Sequence, residues 1–227
     1  MKKLSTILFL LFLNMTCFAQ NCNEYFSFTK GMKIEMVSYD KKDKLAATIK
    51  YEIVDYKPAG SGMTLVMSTA TYDAKGALLA KGDASGKCEN GVYYADVRNI
   101  SSDMIPKAAD VQVDITGEQL TYPTGLKVGD KLKDATINVA SSMGSMKLMS
   151  MAVNIVNREV AAMETVETPA GKFDCLKITY TLNMKFMGNR TMNGVEYLAK
   201  GIGVVKSENY DSKGKKQSSM ILNKLEK

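Results

Sequence analysis

The chain has 227 residues, with 30 Lys and Arg against 24 Asp and Glu, and it contains no histidine and no tryptophan. Without histidine there can be no Ser-His-Asp or Cys-His nucleophile arrangement and no His-ligated zinc or haem. The formal charge of +6 is carried by lysines scattered singly or in pairs among the acids. No basic-aromatic patch accompanies them, so nucleic acid is not an expected partner.

The first elements are an address and not a fold. Lys2 and Lys3 precede the apolar run "LSTILFLLFL", and "CFA" stands before Gln20, which is the order of a secretory signal peptide over residues 1–19. Cleavage would leave residues 20–227 as a single β-rich exported domain, periplasmic or associated with the cell envelope, and large enough for a substantial core. No later stretch approaches the roughly 18 apolar residues that a membrane span needs. Cys17 follows "NMT" and Cys22 follows "AQN", and neither prefix has the small-residue pattern expected of lipid attachment.

The mature chain would carry Cys22, Cys88 and Cys175. An odd count in an oxidising compartment predicts one bridge and one thiol left over. Cys22 and Cys88 sit in polar surroundings ("QNCNEY", "SGKCENG") at the flanks of strand-like stretches, and their pairing is the expected bridge, worth roughly 4 kcal/mol at most in the chain-entropy picture. Cys175 lies inside the apolar run "FDCLKI" and reads as a small buried hydrophobe.

Period-two alternation then recurs along the chain. "MKIEMVSYD" puts Met32, Ile34 and Met36 on one face, opposite Lys33 and Glu35. "LAATIKYEIV" aligns Leu45, Ala47, Ile49, Tyr51 and Ile53, "MTLVMSTATY" aligns Met63, Leu65 and Met67, and "LKITYTLNM" aligns Leu176, Ile178, Tyr180, Leu182 and Met184. Side chains on a strand alternate faces, so these are half-buried strands. The phrases "YDKKDKL", "YDAKGAL" and "YDSKGKK", starting at Tyr39, Tyr72 and Tyr210, each fall between two such strands. Asp heading a tight turn bonds its own backbone and Gly accepts a positive φ, so the three phrases read as hairpin turns and not as ligand loops. "KPAGSG" near Pro58 and "TPAGKF" near Pro169 are turns for the same reason. The rhythm breaks at residues 99–125, the candidate crossing segment, where "ISSDMIP" reads either as a helical turn or as a crossing loop. The whole is predicted to be all-β with minor helix, an antiparallel meander of roughly nine to eleven strands forming a curved half-barrel or barrel.

Catalytic signatures are missing. There is no G-x-S-x-G elbow. "GDASGKC" departs from a phosphate loop in its glycine spacing, and Cys88 stands where Ser or Thr belongs. Glu164, Glu167 and Asp174 could suggest a glycosidase pair, but they bracket a surface turn and read as solvated acids. No enzyme activity, cofactor or metal is expected. Methionine is the oddity: "SSMGSMKLMSMAV" holds Met143, Met146, Met149 and Met151, a spacing that also suits Cu(I). The plainer expectation is a soft, adaptable apolar face, lined by Met32, Met36, Met63, Met67, Met149, Met151 and Met184, that takes an apolar or lipid-like ligand. A structural or interaction module for an envelope protein, working through strand edges or the crossing segment, is the alternative.

In order, "CNEYFSFTKGMKIEMVSYD", "KCENGVYYADV", "GLKVGDKL", "VETPAGKFDCLKI" and "YLAKGIGVVKSENYDSKGK" resemble the TapB-like exported domains, over Cys22 to Lys215. The resemblance implies a mostly β, half-barrel fold in the cell envelope, distantly like periplasmic lipid and lipoprotein carriers, and it brings no catalytic residues. The last phrase commonly begins with Trp in such domains; Tyr197 is in its place here.

Overall fold

A computed structural model describes residues 23–59, 62–95, 112–185 and 188–227. The expected signal peptide and Cys22 lie outside the described residues, as do residues 96–111, with the "ISSDMIP" stretch. Alternating faces become strands throughout. β1 (Lys33–Asp40), β2 (Leu45–Ala59), β3 (Gly62–Asp73), β4 (Leu78–Glu89) and β5 (Val92–Ala95) run up and down in sequence order. The short β6 (Gln112–Gly117) and β7 (Leu120–Pro123) follow. β8 (Ala135–Met143), β9 (Met146–Thr168), β10 (Gly171–Lys185), β11 (Asn189–Ala199), β12 (Gly203–Asp211) and β13 (Lys216–Glu226) complete a second meander.

All thirteen join one antiparallel sheet in the order β6-β8-β9-β10-β11-β12-β13-β1-β2-β3-β4-β5-β7. The sheet is a half-barrel. β13 pairing with β1 fuses the two meanders into one surface, and β6 and β7 are its two edges. Only Glu118 and Gln119 separate these edges in the chain. Three Cα steps of 3.8 Å therefore hold the rims within about 11 Å of each other at that point. The described part of the expected crossing segment does pass from one edge of the sheet to the other, as two strands. One expectation needs correcting: the described strands number thirteen, because the four-residue β5 and β7 and the six-residue β6 are too short for a visible alternation. Among the described residues there is no helix, and the helical turn that "ISSDMIP" allows falls outside them.

The three repeated phrases are turns of one design. Asp40 Oδ1 accepts from the amides of Lys42 and Lys44, at 2.8 and 3.0 Å. Asp73 Oδ1 accepts from Lys75 and Ala77, both at 2.8 Å. Asp211 Oδ1 accepts from Lys213 and Lys215, at 3.0 and 2.9 Å. Each carboxylate replaces a strand partner for two amides at the tip of a hairpin. At the Pro169 turn, Thr168 Oγ1 donates to Gly171 O and accepts from Ala170 N, both at 3.1 Å.

The core lies on the concave side. Leu176, Ile178, Leu198, Val205 and Leu222 are essentially inaccessible there. Cys175, free and fully buried, is the small hydrophobe its setting predicts. Burial pushes its thiol up to about 11, so it is a poor nucleophile.

Candidate functional site

The concave face is only partly filled. Between its walls lies a cavity of about 970 Å³, near the top of the roughly 300–1,000 Å³ range of small-molecule sites. Its ends differ. At one end the segment before β1 acts as a plug: Phe26 stacks on Tyr93 at 4.0 Å and lies 5.0 Å from Tyr122. Asn23 fixes this plug. Its Nδ2 donates to Tyr122 O at 2.8 Å, while its Oδ1 accepts from the amides of Tyr25 and Phe26 at 3.0 Å. At the other end, beside the Asp40, Asp73 and Asp211 turns, exposed Ala46 and Leu79 belong to the lining and the cavity reaches solvent. Leu45, Leu78, Leu79, Met143, Met146 and Leu148 are exposed around that same end.

One wall is apolar: Ala47 and Ile49 of β2, Met67 of β3, Ile137 and Val139 of β8, and Met151, Val153 and Ile155 of β9. Four of the seven sequence-nominated methionines, Met36, Met67, Met151 and Met184, meet on the lining; Met220 joins them unforeseen. The other three do not. Met32 is packed away in the core, 2 % exposed. Met63 borders a small separate void near Cys88, and half-buried Met149 packs on the core without reaching the cavity. The candidate copper quartet is also dispersed: Met143 and Met146 are exposed partners at a hairpin tip, and Met151 lies five residues further along β9, about 16 Å away.

The sequence reading missed the polar part of the lining. β9 buries Met151, Val153 and Ile155 and then Arg158 and Val160, a change of phase by one residue. The switch is a bulge opposite Tyr180, where Asn157 takes φ 55° in the left-handed region. Asn tolerates that conformation, and a bulge re-aims the side chain that follows. Arg158 is thus turned inward, 2 % exposed. Its Nη1 donates to Thr121 O at 3.2 Å and to Lys133 O at 2.9 Å, and its guanidinium lies 5.0 Å from the Tyr122 ring centre. Its Nη2 lies 3.8 Å from Glu196 Oε1, close enough for charge attraction but too far for a hydrogen bond. Glu196 Oε2 accepts from the Tyr122 hydroxyl at 3.2 Å.

Burial raises the Glu196 carboxyl above its usual range, against the pull of Arg158 and the Tyr122 hydrogen bond. Burial, reinforced by the Glu196 charge, also raises the hydroxyls of Tyr122 and Tyr180. Tyr180 stays flat on the wall because its cross-strand neighbour is Gly194; a methyl group there would fall within the Tyr180 ring. Sequence signals for this cluster exist in hindsight: an arginine inside the apolar run "AVNIVNREV", preceded by Asn. Among the described residues no group of three or more Cys, Asp or Glu side chains converges to hold a metal, and none of them forms a helix long and apolar enough to cross a membrane.

A curved antiparallel sheet that holds an apolar cavity, with one end plugged and one open, defines the class: a β half-barrel with an internal pocket. The chain belongs to the DUF3108-like family, which it matches over residues 29–222. The TapB-like designation suggested by the quoted phrases remains a resemblance; the family shown is the DUF3108-like one. A Bacteroides fragilis protein named as exported, with a YmcC-like fold, is 26% identical, with a TM-score of 0.77 over 91% of this chain and 100% of its own. A Parabacteroides distasonis protein named as a lipoprotein is 24% identical and has the same fold, with a TM-score of 0.78 over 91% of this chain and 100% of its own. No curated protein matches.

Proposed function

We propose that the protein is a non-enzymatic binder of an apolar or amphiphilic ligand in the cell envelope, held in the concavity of the half-barrel. The observation that carries this reading is the cavity of about 970 Å³ walled by Met36, Met67, Met151, Met184 and branched aliphatics. Methionine walls adapt to flexible chains, and the open end gives such a chain a way in. The name of the Bacteroides fragilis neighbour as exported supports the compartment. Organic extraction of the purified protein followed by mass spectrometry tests the reading. A stoichiometric amphiphile is expected; lipid-free protein that also takes up no added amphiphile would refute it.

We also infer that Cys88 is bridged to Cys22. Cys88 is the bonded cysteine and Cys175 the free one, and Cys22 is the remaining cysteine of the predicted mature chain. Non-reducing peptide mapping should recover the two peptides joined; a Cys88–Cys175 linkage would contradict it. A second reading, docking of an envelope protein, is favoured by the exposed Leu78, Leu79, Met143 and Met146 at the open end. Pull-down with a Leu78→Lys/Met146→Lys variant should then lose a partner that the wild type retains, and identical recovery would remove this reading.

A further inference from the structure

Among the described residues four buried side-chain polar atoms have no hydrogen-bond partner: Ser38 Oγ, Arg158 Nη2, Glu196 Oε1 and Asn209 Oδ1. All four residues line the cavity. Buried polar groups are ordinarily paired, and leaving one unpaired is costly, so four along one cavity call for an explanation.

Strand register shows that three of them are neighbours. Across five adjacent strands, Ile178, Glu196, Ser207, Met220 and Ser38 stand opposite one another in one row. Tyr180, Gly194, Asn209, Ser218 and Asp40 form the next row towards the open end. Glu196, Ser207, Ser38, Asn209 and Ser218 therefore form a polar strip on one wall, and Arg158 reaches its deep end from β9. Asn209 Nδ2 donates to Ser218 Oγ at 3.2 Å, which fixes the amide with its Oδ1 left over. Apart from Arg158 and Tyr51, the lining that β2, β3, β8 and β9 contribute on either side of the strip is apolar.

We propose that the cavity selects a non-ionic amphiphile with a hydroxyl-bearing head, which lies along the strip from Ser38 and Asn209 to the Arg158–Glu196 pair, its hydrocarbon tail on the facing apolar wall. This deepens the ligand-binding reading above and rests on it. The chemistry follows from the mixture of spare atoms. Arg158 Nη2 can only donate, Glu196 Oε1 and Asn209 Oδ1 accept, and Ser38 Oγ does both; a hydroxyl group serves either kind. The formal charges of Arg158 and Glu196 oppose each other, so an ionic head would be desolvated without a counter-charge of its own. A carboxylate head would meet Glu196, and an ammonium head would meet Arg158.

The test compares 1-monolauroylglycerol, laurate and dodecyltrimethylammonium, which share a tail length and differ in the head, by titration calorimetry at pH 7.5 below their micellar concentrations. Monolauroylglycerol is expected to bind roughly tenfold more tightly than either ion, the effect of one or two net hydrogen bonds. The Ser38→Ala/Ser207→Ala variant spares the buried ion pair and the fold. It should lose about that factor for monolauroylglycerol and leave the two ions unchanged. Equal binding of all three, or tighter binding of either ion, overturns the head-group inference and leaves the apolar cavity intact. Failure of all three to bind overturns both.

Discussion

Charged residues occur in two contrasting settings. At the hairpin turns, Asp40, Asp73 and Asp211 are solvated, and each is satisfied by two backbone amides. On the concave face, Arg158 and Glu196 are buried, and each keeps one atom without a hydrogen bond. The thrice-repeated phrase is structural punctuation, whereas the unrepeated arginine marks the cavity. Repetition in a β meander reports on the turns it needs, and a lone charge inside an apolar strand reports on what the sheet encloses.

The largest expected effect comes from splitting the buried pair. Arg158→Met leaves Glu196 buried without its cation and cuts the ties from β9 to Thr121 and Lys133. Denaturant unfolding should show a loss of about 3–5 kcal/mol. Arg158→Met/Glu196→Leu should recover much of that loss, because neither charge is then stranded. A single variant as stable as the wild type would show that Arg158 does not tie β9 to its neighbours.

The second effect is one of sign. The raised carboxyl of Glu196 stabilises the folded state fully below the ordinary carboxylate range, and this contribution is lost as pH rises through the raised value. The turn acids Asp40 and Asp211 are held below their usual range, mainly by hydrogen bonds from the backbone amides of Lys44 and Lys215. Their contribution is present above the ordinary range and is lost as pH falls through the lowered values. Glu196→Gln should therefore flatten the stability profile on the side rising toward neutrality and leave the acid side unchanged. The opposite outcome would place Glu196 in the same setting as the turn acids.

The smallest effect is expected at the turns. Asp40→Asn keeps an acceptor for the two amides and removes only the charge. It should lower the melting temperature less than Arg158→Met does and weaken the acid-side dependence. A loss as large as that of the buried pair would mean that the turn carries more than hairpin geometry.

Much of the architecture was legible because alternation survives wherever one face of a strand is buried. Met36, Met67, Met151 and Met184 were placed on the inner face by counting in twos. The count failed where the backbone departs from the regular pleat. At the Asn157 bulge the phase of β9 slips by one, so Arg158 lies inside where regular counting puts it outside. Met63 and Met149 follow the period but miss the cavity, since a shared face does not say which part of a long curved strand borders the void. The polar strip was illegible for a further reason. Ser38, Ser207 and Asn209 become neighbours only through the pairing of β1, β12 and β13, and two of those strands lie at the far end of the chain.

Titration of the wild type with N-phenyl-1-naphthylamine, a neutral apolar fluorophore, against an Ala47→Phe/Val139→Phe variant that fills the apolar wall is the most direct test of the central claim. With no tryptophan in the chain, background emission is low. Saturable one-to-one uptake by the wild type and its loss in the filled variant, with circular dichroism unchanged, are expected. No saturable uptake by the wild type, or equal uptake by the filled variant, would contradict it.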